Sequence, residues 1–116
     1  MNLTLDHTQR LNLHAILGAQ RGDVATIRAY WALQDRLALT PEEERAIELK
    51  REFVGGHDRV VWNPVQSLPP REFAVTDTEL SRIRAALETW GNYGVKTDRN
   101  WLEPLLETVG AAELLR

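Results

Sequence analysis

Apolar residues recur at helical spacing in five stretches of the chain. From about His7 to Gln20, Leu13, Ile16 and Leu17 form one stripe. Leu11 falls on the opposite side, so this helix is expected either to be sandwiched or to touch something else through Leu11. Asp6 is placed to cap it, with Gln9 at the capping-box position. Arg21-Gly22-Asp23 interrupts the pattern: Gly22 suits a helix end and Asp23 the next start. A second helix is predicted from about Val24 to Leu37. Its apolar residues Val24, Ile27, Tyr30, Trp31, Leu33 and Leu37 cover nearly half the circumference, and Ala25, Ala29 and Ala32 line the other side. Thr40, Pro41 and Glu43 together spell a capping box with proline at the first helical position. The third helix is predicted to run from there to about Val54 and to end at Gly55-Gly56. Glu42, Glu43 and Glu44 near its start and Lys50-Arg51 near its end complement a helix dipole.

The period then changes. Arg59-Val60-Val61-Trp62 has strand composition, and Asn63-Pro64 signals a turn. Pro69-Pro70 excludes a central strand there. Glu72-Phe73-Ala74-Val75 reads as a second short strand, expected to pair with the first. Thr76-Asp77-Thr78-Glu79 opens a fourth helix reaching about Trp90, with Leu80, Ile83, Ala86, Leu87 and Trp90 on one face. A last helix begins near Asp98 or Asn100. An Asn100–Glu103 box would put Pro104 in the first turn, where proline is best tolerated. Trp101, Leu102, Leu105, Leu106 and Val109 face inward, Gly110 ends the helix, and residues 111–116 fray or dock through Leu114 and Leu115. Trp31, Trp90 and Trp101 are expected in the core, while Trp62 stands beside a turn. The fold class is therefore α+β, mostly α, with about five short helices and one short two-stranded β element between the third and fourth helices. Residues 1–116 form one compact domain.

Composition narrows the functions. The chain is 43% apolar and 27% charged, as globular domains are, which argues against disorder. A net charge of −3 excludes a strongly basic nucleic-acid coat. The lack of cysteine removes disulfides, thiol catalysis, iron–sulfur clusters and cysteine-based zinc sites together. Residues 1–6 carry neither the basic nor the apolar region of a secretory signal, and no apolar run nears the ~20 residues that cross a bilayer. A cytoplasmic location without a membrane partner is the expectation.

Candidate chemistry is sparse. His7 and His14 share a helix face but stand about 10 Å apart along it, too far for one metal ion. His57-Asp58 invites comparison with metal phosphohydrolases, which need further His and Asp ligands; a solvated turn explains it as well. The acids at 42–44, 77 and 79 are explained by caps and the helix dipole, leaving general acid–base chemistry without an anchor. Ser67 and Ser81 lack a nucleophile-elbow context, and no Gly-rich phosphate loop is present. No catalytic residue, metal ligand or cofactor is assigned, and no enzyme is expected. Arg10, Arg21, Arg28, Arg36, Arg82 and Arg84 suggest a DNA-binding regulator as an alternative. It is disfavoured because the helix that would read the groove opens with three glutamates. A metal-dependent hydrolase using His57 and Asp58 is a further alternative. The apolar arc of the second helix, Leu11, and Ala25, Ala29 and Ala32 exceed what one small core needs. A homodimer or protein partner is the expected use of that excess, with Trp62, Asn63 and Arg71 as a second contact region.

The order of motifs resembles a group of small bacteriophage- and prophage-encoded proteins. The matching pieces are the opening helix, Gly22-Asp23-Val24-Ala25-Thr26-Ile27, Leu39-Thr40-Pro41-Glu42-Glu43-Glu44, Val61-Trp62-Asn63-Pro64, Thr76-Asp77-Thr78-Glu79-Leu80 and the segment near Trp101-Leu102-Glu103. They span about Thr8 to Thr108, and each is a cap or core pattern. The present chain is richer in Arg and poorer in Lys than that pattern. The resemblance implies a phage accessory protein, structural or inhibitory, that acts by interaction, and it carries over no functional residue.

Overall fold

A computed structural model describes residues 2–63, 66 and 68–110 of the chain. The elements run β1 (Asn2–Leu5), α1 (His7–Gly18), α2 (Val24–Leu37), α3 (Pro41–Ala46), β2 (Lys50–Val54), β3 (His57–Val61), β4 (Arg71–Ala74), α4 (Asp77–Thr89) and α5 (Arg99–Thr108). The architecture is α+β and mostly α. The expected turn residue Pro64, Ser67, and the tail with Leu114 and Leu115 lie outside the described residues.

Local caps set four of the five helix starts. In α1 the Gln9 amide donates to Asp6 Oδ1 at 2.8 Å, and the Asp6 amide donates to Gln9 Oε1 at 3.0 Å. Thr40 with Glu43 and Thr76 with Glu79 close the same reciprocal box at α3 and α4. Asp23 caps α2 through the Thr26 amide at 2.8 Å. The core forms where α1 packs on α2, α4 and α5, α2 on α4, and α5 on β1 of the β1–β4 pair. Leu3, Leu5, Leu13, Leu33, Ile83, Leu87 and Leu105 are buried at its centre.

Four expectations need correction. The third helix does not reach Val54: it ends at Ala46. Glu48 takes a left-handed conformation with φ 54°, and the Leu49 amide reaches back to the Glu44 carbonyl at 2.9 Å while that of Glu48 bonds the Arg45 carbonyl at 3.1 Å. This is a Schellman stop built without glycine, so the usual sequence marker is missing. Residues 50–54 are instead β2, and Gly55-Gly56 is the two-residue turn of a hairpin, with φ of 61° and 79°. Positive φ at both central residues is what a type I′ hairpin demands, and glycine meets it without strain.

Strand pairing is the second correction. β3 pairs with β2, with Arg51 opposite Val60, and not with the strand near Phe73. That strand, β4, pairs antiparallel with β1, which places Leu3 opposite Phe73. There are thus two small sheets rather than one, and β1 was unforeseen because four residues carry too little periodicity to read.

Third, Trp31 is not in the core; it is 57% exposed, whereas Trp101 is buried and Trp90 half-buried. Fourth, α5 starts from Asp98, the earlier of the two starts the sequence offers and two residues before an Asn100 cap would allow, so Pro104 is not in its first turn. Asp98 precedes it, and Pro104 lies inside the helix, where it removes the amide that would have bonded the Asn100 carbonyl. The Asp98 carboxylate makes no cap; it accepts from Trp101 Nε1 at 2.9 Å and from the Gly94 amide at 2.6 Å.

One charged side chain sits among these elements. Arg10 of α1 is 1% exposed. Its Nε donates to the Leu37 carbonyl at 3.1 Å and Nη2 to the Ala38 carbonyl at 2.9 Å. Nη1 and Nη2 also grip the two Glu43 carboxylate oxygens at 2.6 and 3.0 Å. This bidentate pairing, helped by the Thr40 amide, holds the Glu43 carboxyl at about 2, below the usual 4.5, against a smaller opposing effect of burial. A carboxylate with a lowered folded pKa stabilises the fold fully above about pH 4.5 and loses that contribution as pH falls toward 2. Glu43→Gln leaves a buried guanidinium without its counter-charge. It is expected to cost on the order of 3 kcal/mol in urea unfolding at neutral pH. The variant should also lose the part of the acid-unfolding limb that Glu43 contributes.

Candidate functional site

Two surfaces contain most of the residues singled out from sequence. The first is a cleft of about 600 Å³ between α1, the α2–α3 connection and the β2–β3 hairpin. Its floor is the outer side of α1, with Leu11, His14 and Ala15. Its walls are Leu37 to Leu39 on one side and Leu49, Arg51, Val60 and Trp62 on the other. Val60 and Trp62 are two apart, and Arg51 pairs with Val60 across the hairpin, so all three share one hairpin face. The Trp62 ring meets His7 edge to face, with centroids 6.3 Å apart and planes at 89°. The hairpin is tied to the end of α3: the Asn63 amide donates to the Ile47 carbonyl at 2.9 Å, and its Nδ2 donates to Glu48 Oε2.

Leu11 and Trp62 are therefore brought together, and Asn63 anchors the hairpin that carries the cleft wall. Arg71 is exposed, 5.3 Å from the Phe73 ring centroid and 3.8 Å from Glu43. His14 is half-buried in the cleft. Burial lowers its pKa from the ordinary 6.5, Asp35 opposes that shift, and Arg51 adds to it. His57 and Asp58 lie on β3, not in a loop, and their side chains fall outside the described residues. Among the described residues, no three His, Asp or Glu side chains gather closely enough to hold a metal ion.

The second surface is the outer face of α2. Tyr30, Leu33 and Leu37 point into the core. Val24, Arg28, Trp31 and Asp35 follow at i, i+4, i+7 and i+11, which puts them on one face, and all four are exposed. Val24 is 69% exposed and Trp31 57%. Ala25 and Ala32 flank this stripe in the open, and Ala29 is half-buried beside it. Among the described residues, neither Arg28 nor Asp35 takes part in an ion pair.

The six arginines proposed for DNA do not form one free basic face. Arg10 is buried on Glu43. Arg36 pairs with Glu79 at 3.1 Å, and Arg84 donates through Nε to the Val109 carbonyl. The helix that would read a groove is six residues long and carries three acids. No helix among the described residues is long and apolar enough to cross a membrane.

Sequence reasoning missed the cleft because its wall was read as helix. The usable signal was Phe53-Val54-Gly55-Gly56 followed by Val60-Val61, two strand-like runs around a glycine pair. No known protein family, curated protein or solved structure matches this chain.

The cleft generates a pH prediction. Because the folded chain favours neutral His14, this group's stabilisation is present above about pH 6.5 and is lost as pH falls below that value. An NMR titration of His14 should give a midpoint under 6.5. Arg51→Gln should raise that midpoint and Asp35→Asn should lower it further. An unshifted midpoint would contradict the burial of His14 against the hairpin.

Proposed function

We propose that this chain is a non-enzymatic interaction protein that self-associates, an accessory of the bacteriophage or prophage kind that its motif order resembles. The observation that carries this reading is the exposure of Trp31 together with Val24 on the outer face of α2. A folded domain gains by burying a tryptophan, since aromatic side chains bring large apolar area to cores and interfaces alike. The core of this domain is already filled from the opposite side of α2 by Tyr30, Leu33 and Leu37. Trp31 and Val24 thus form an apolar surface left over after folding, and tryptophan is enriched among the residues that anchor protein interfaces. The apolar lining of the cleft by Leu11, Leu39, Leu49, Val60 and Trp62 offers a second contact region.

Sedimentation equilibrium across a wide concentration range tests the reading. A mass rising from monomer toward dimer, and falling back in Trp31→Ser, is the expected result. A monomer at every concentration would overturn it. The Trp31 substitution is expected to leave thermal stability nearly unchanged, because the side chain is mostly exposed in the single chain.

A further inference from the structure

We infer that two copies of this chain pair through α2, antiparallel, about a two-fold axis passing between Trp31 and Ala32. The inference rests on the self-association reading and adds to it the geometry and the residues that select the partner. Charge placement carries it. Arg28 and Asp35 bracket Trp31 on the exposed face of α2, and neither is held in an ion pair by the rest of the described chain. Each lies three and a half residues, roughly 5 Å of helical rise, from the midpoint between Trp31 and Ala32. Turning a second helix end for end about that midpoint sets Arg28 opposite the partner's Asp35, and Asp35 opposite the partner's Arg28.

The same operation sets Trp31 opposite the partner's Ala32 and Ala32 opposite the partner's Trp31. A large ring thereby meets a small side chain twice, which lets the helix backbones approach. A parallel pairing in register would instead oppose Arg28 to Arg28 and Asp35 to Asp35. Like charges in direct opposition are strongly unfavourable, so the pattern selects the antiparallel arrangement. Because the patch is its own complement, the contact closes at two copies and does not propagate. One helix pair buries less than the roughly 800 Å² per partner of a standard interface, so the dimer is weak and depends on concentration.

Charge reversal tests the geometry. Arg28→Asp opposes two acids at both cross-pairs, and Asp35→Arg opposes two bases. Each variant alone is expected to dimerise at least about tenfold more weakly than the parent in sedimentation equilibrium. An equimolar mixture of the two variants restores both attractive pairs and is expected to recover a heterodimer. The double variant Arg28→Asp/Asp35→Arg is expected to dimerise as the parent does. Recovery on mixing cannot come from repaired folding, because neither chain has changed. A parent that dimerises with variants that also do so undiminished, or a mixture that stays monomeric, overturns the α2 pairing and leaves self-association standing. A parent that never dimerises overturns both.

Discussion

The burial of one guanidinium constrains most of this fold. Arg10 leaves water almost completely, and a charge in that position is tolerated only when its donors are met and its charge balanced. The partners come from three places: the last carbonyls of α2, the carboxylate of α3, and the Phe73 ring of β4, 5.2 Å away. The Leu37 and Ala38 carbonyls are among those a helix end leaves without an intrahelical donor. One side chain of α1 thus completes the end of α2 while fixing where α3 begins. Glu43 is used twice, because the same carboxylate that receives Arg10 also accepts from the Thr40 amide in the capping box. The local start of α3 and the tertiary placement of α1 are set by one group.

The hairpin follows from that placement. α3 is short because Glu48 adopts a left-handed conformation, and the chain leaves it as β2. The return strand is fastened back to the helix end through Asn63, so the hairpin stands against the outer side of α1. This accounts for Leu11, the residue on the wrong side of its own helix. It is half-buried on the floor of the cleft and faces hairpin residues, not the main core.

α2 presents the opposite case. It too is apolar on more than one side, but here the far side stays in solvent. Periodicity identified Val24, Trp31, Leu33 and Leu37 as one broad arc. It has no means of saying which part of the arc other elements would reach. With α1 and α4 packed against one flank, the arc divides: Leu33 and Leu37 are buried, and Val24 and Trp31 are not. The composition of the second helix signalled surplus apolar surface. That Trp31 joins Ala25 and Ala32 on the exposed side depended on the neighbours.

What the amino-acid order settled by itself is local. Asp6, Asp23, Thr40 and Thr76 cap helices because a side-chain oxygen three residues from a free amide needs nothing distant to bond it. The helix class and four of five helix starts follow from such short-range contacts. What tertiary structure decided is whatever joins residues far apart: β1 against β4, the hairpin against α1, Arg10 against Glu43, and which tryptophans meet solvent. A strand of four residues has no preference for its partner until the core supplies one, and the Schellman stop at Glu48 carries no glycine to announce it. Those choices are settled by packing, which acts between elements and leaves little trace in the spacing of residues within any one of them.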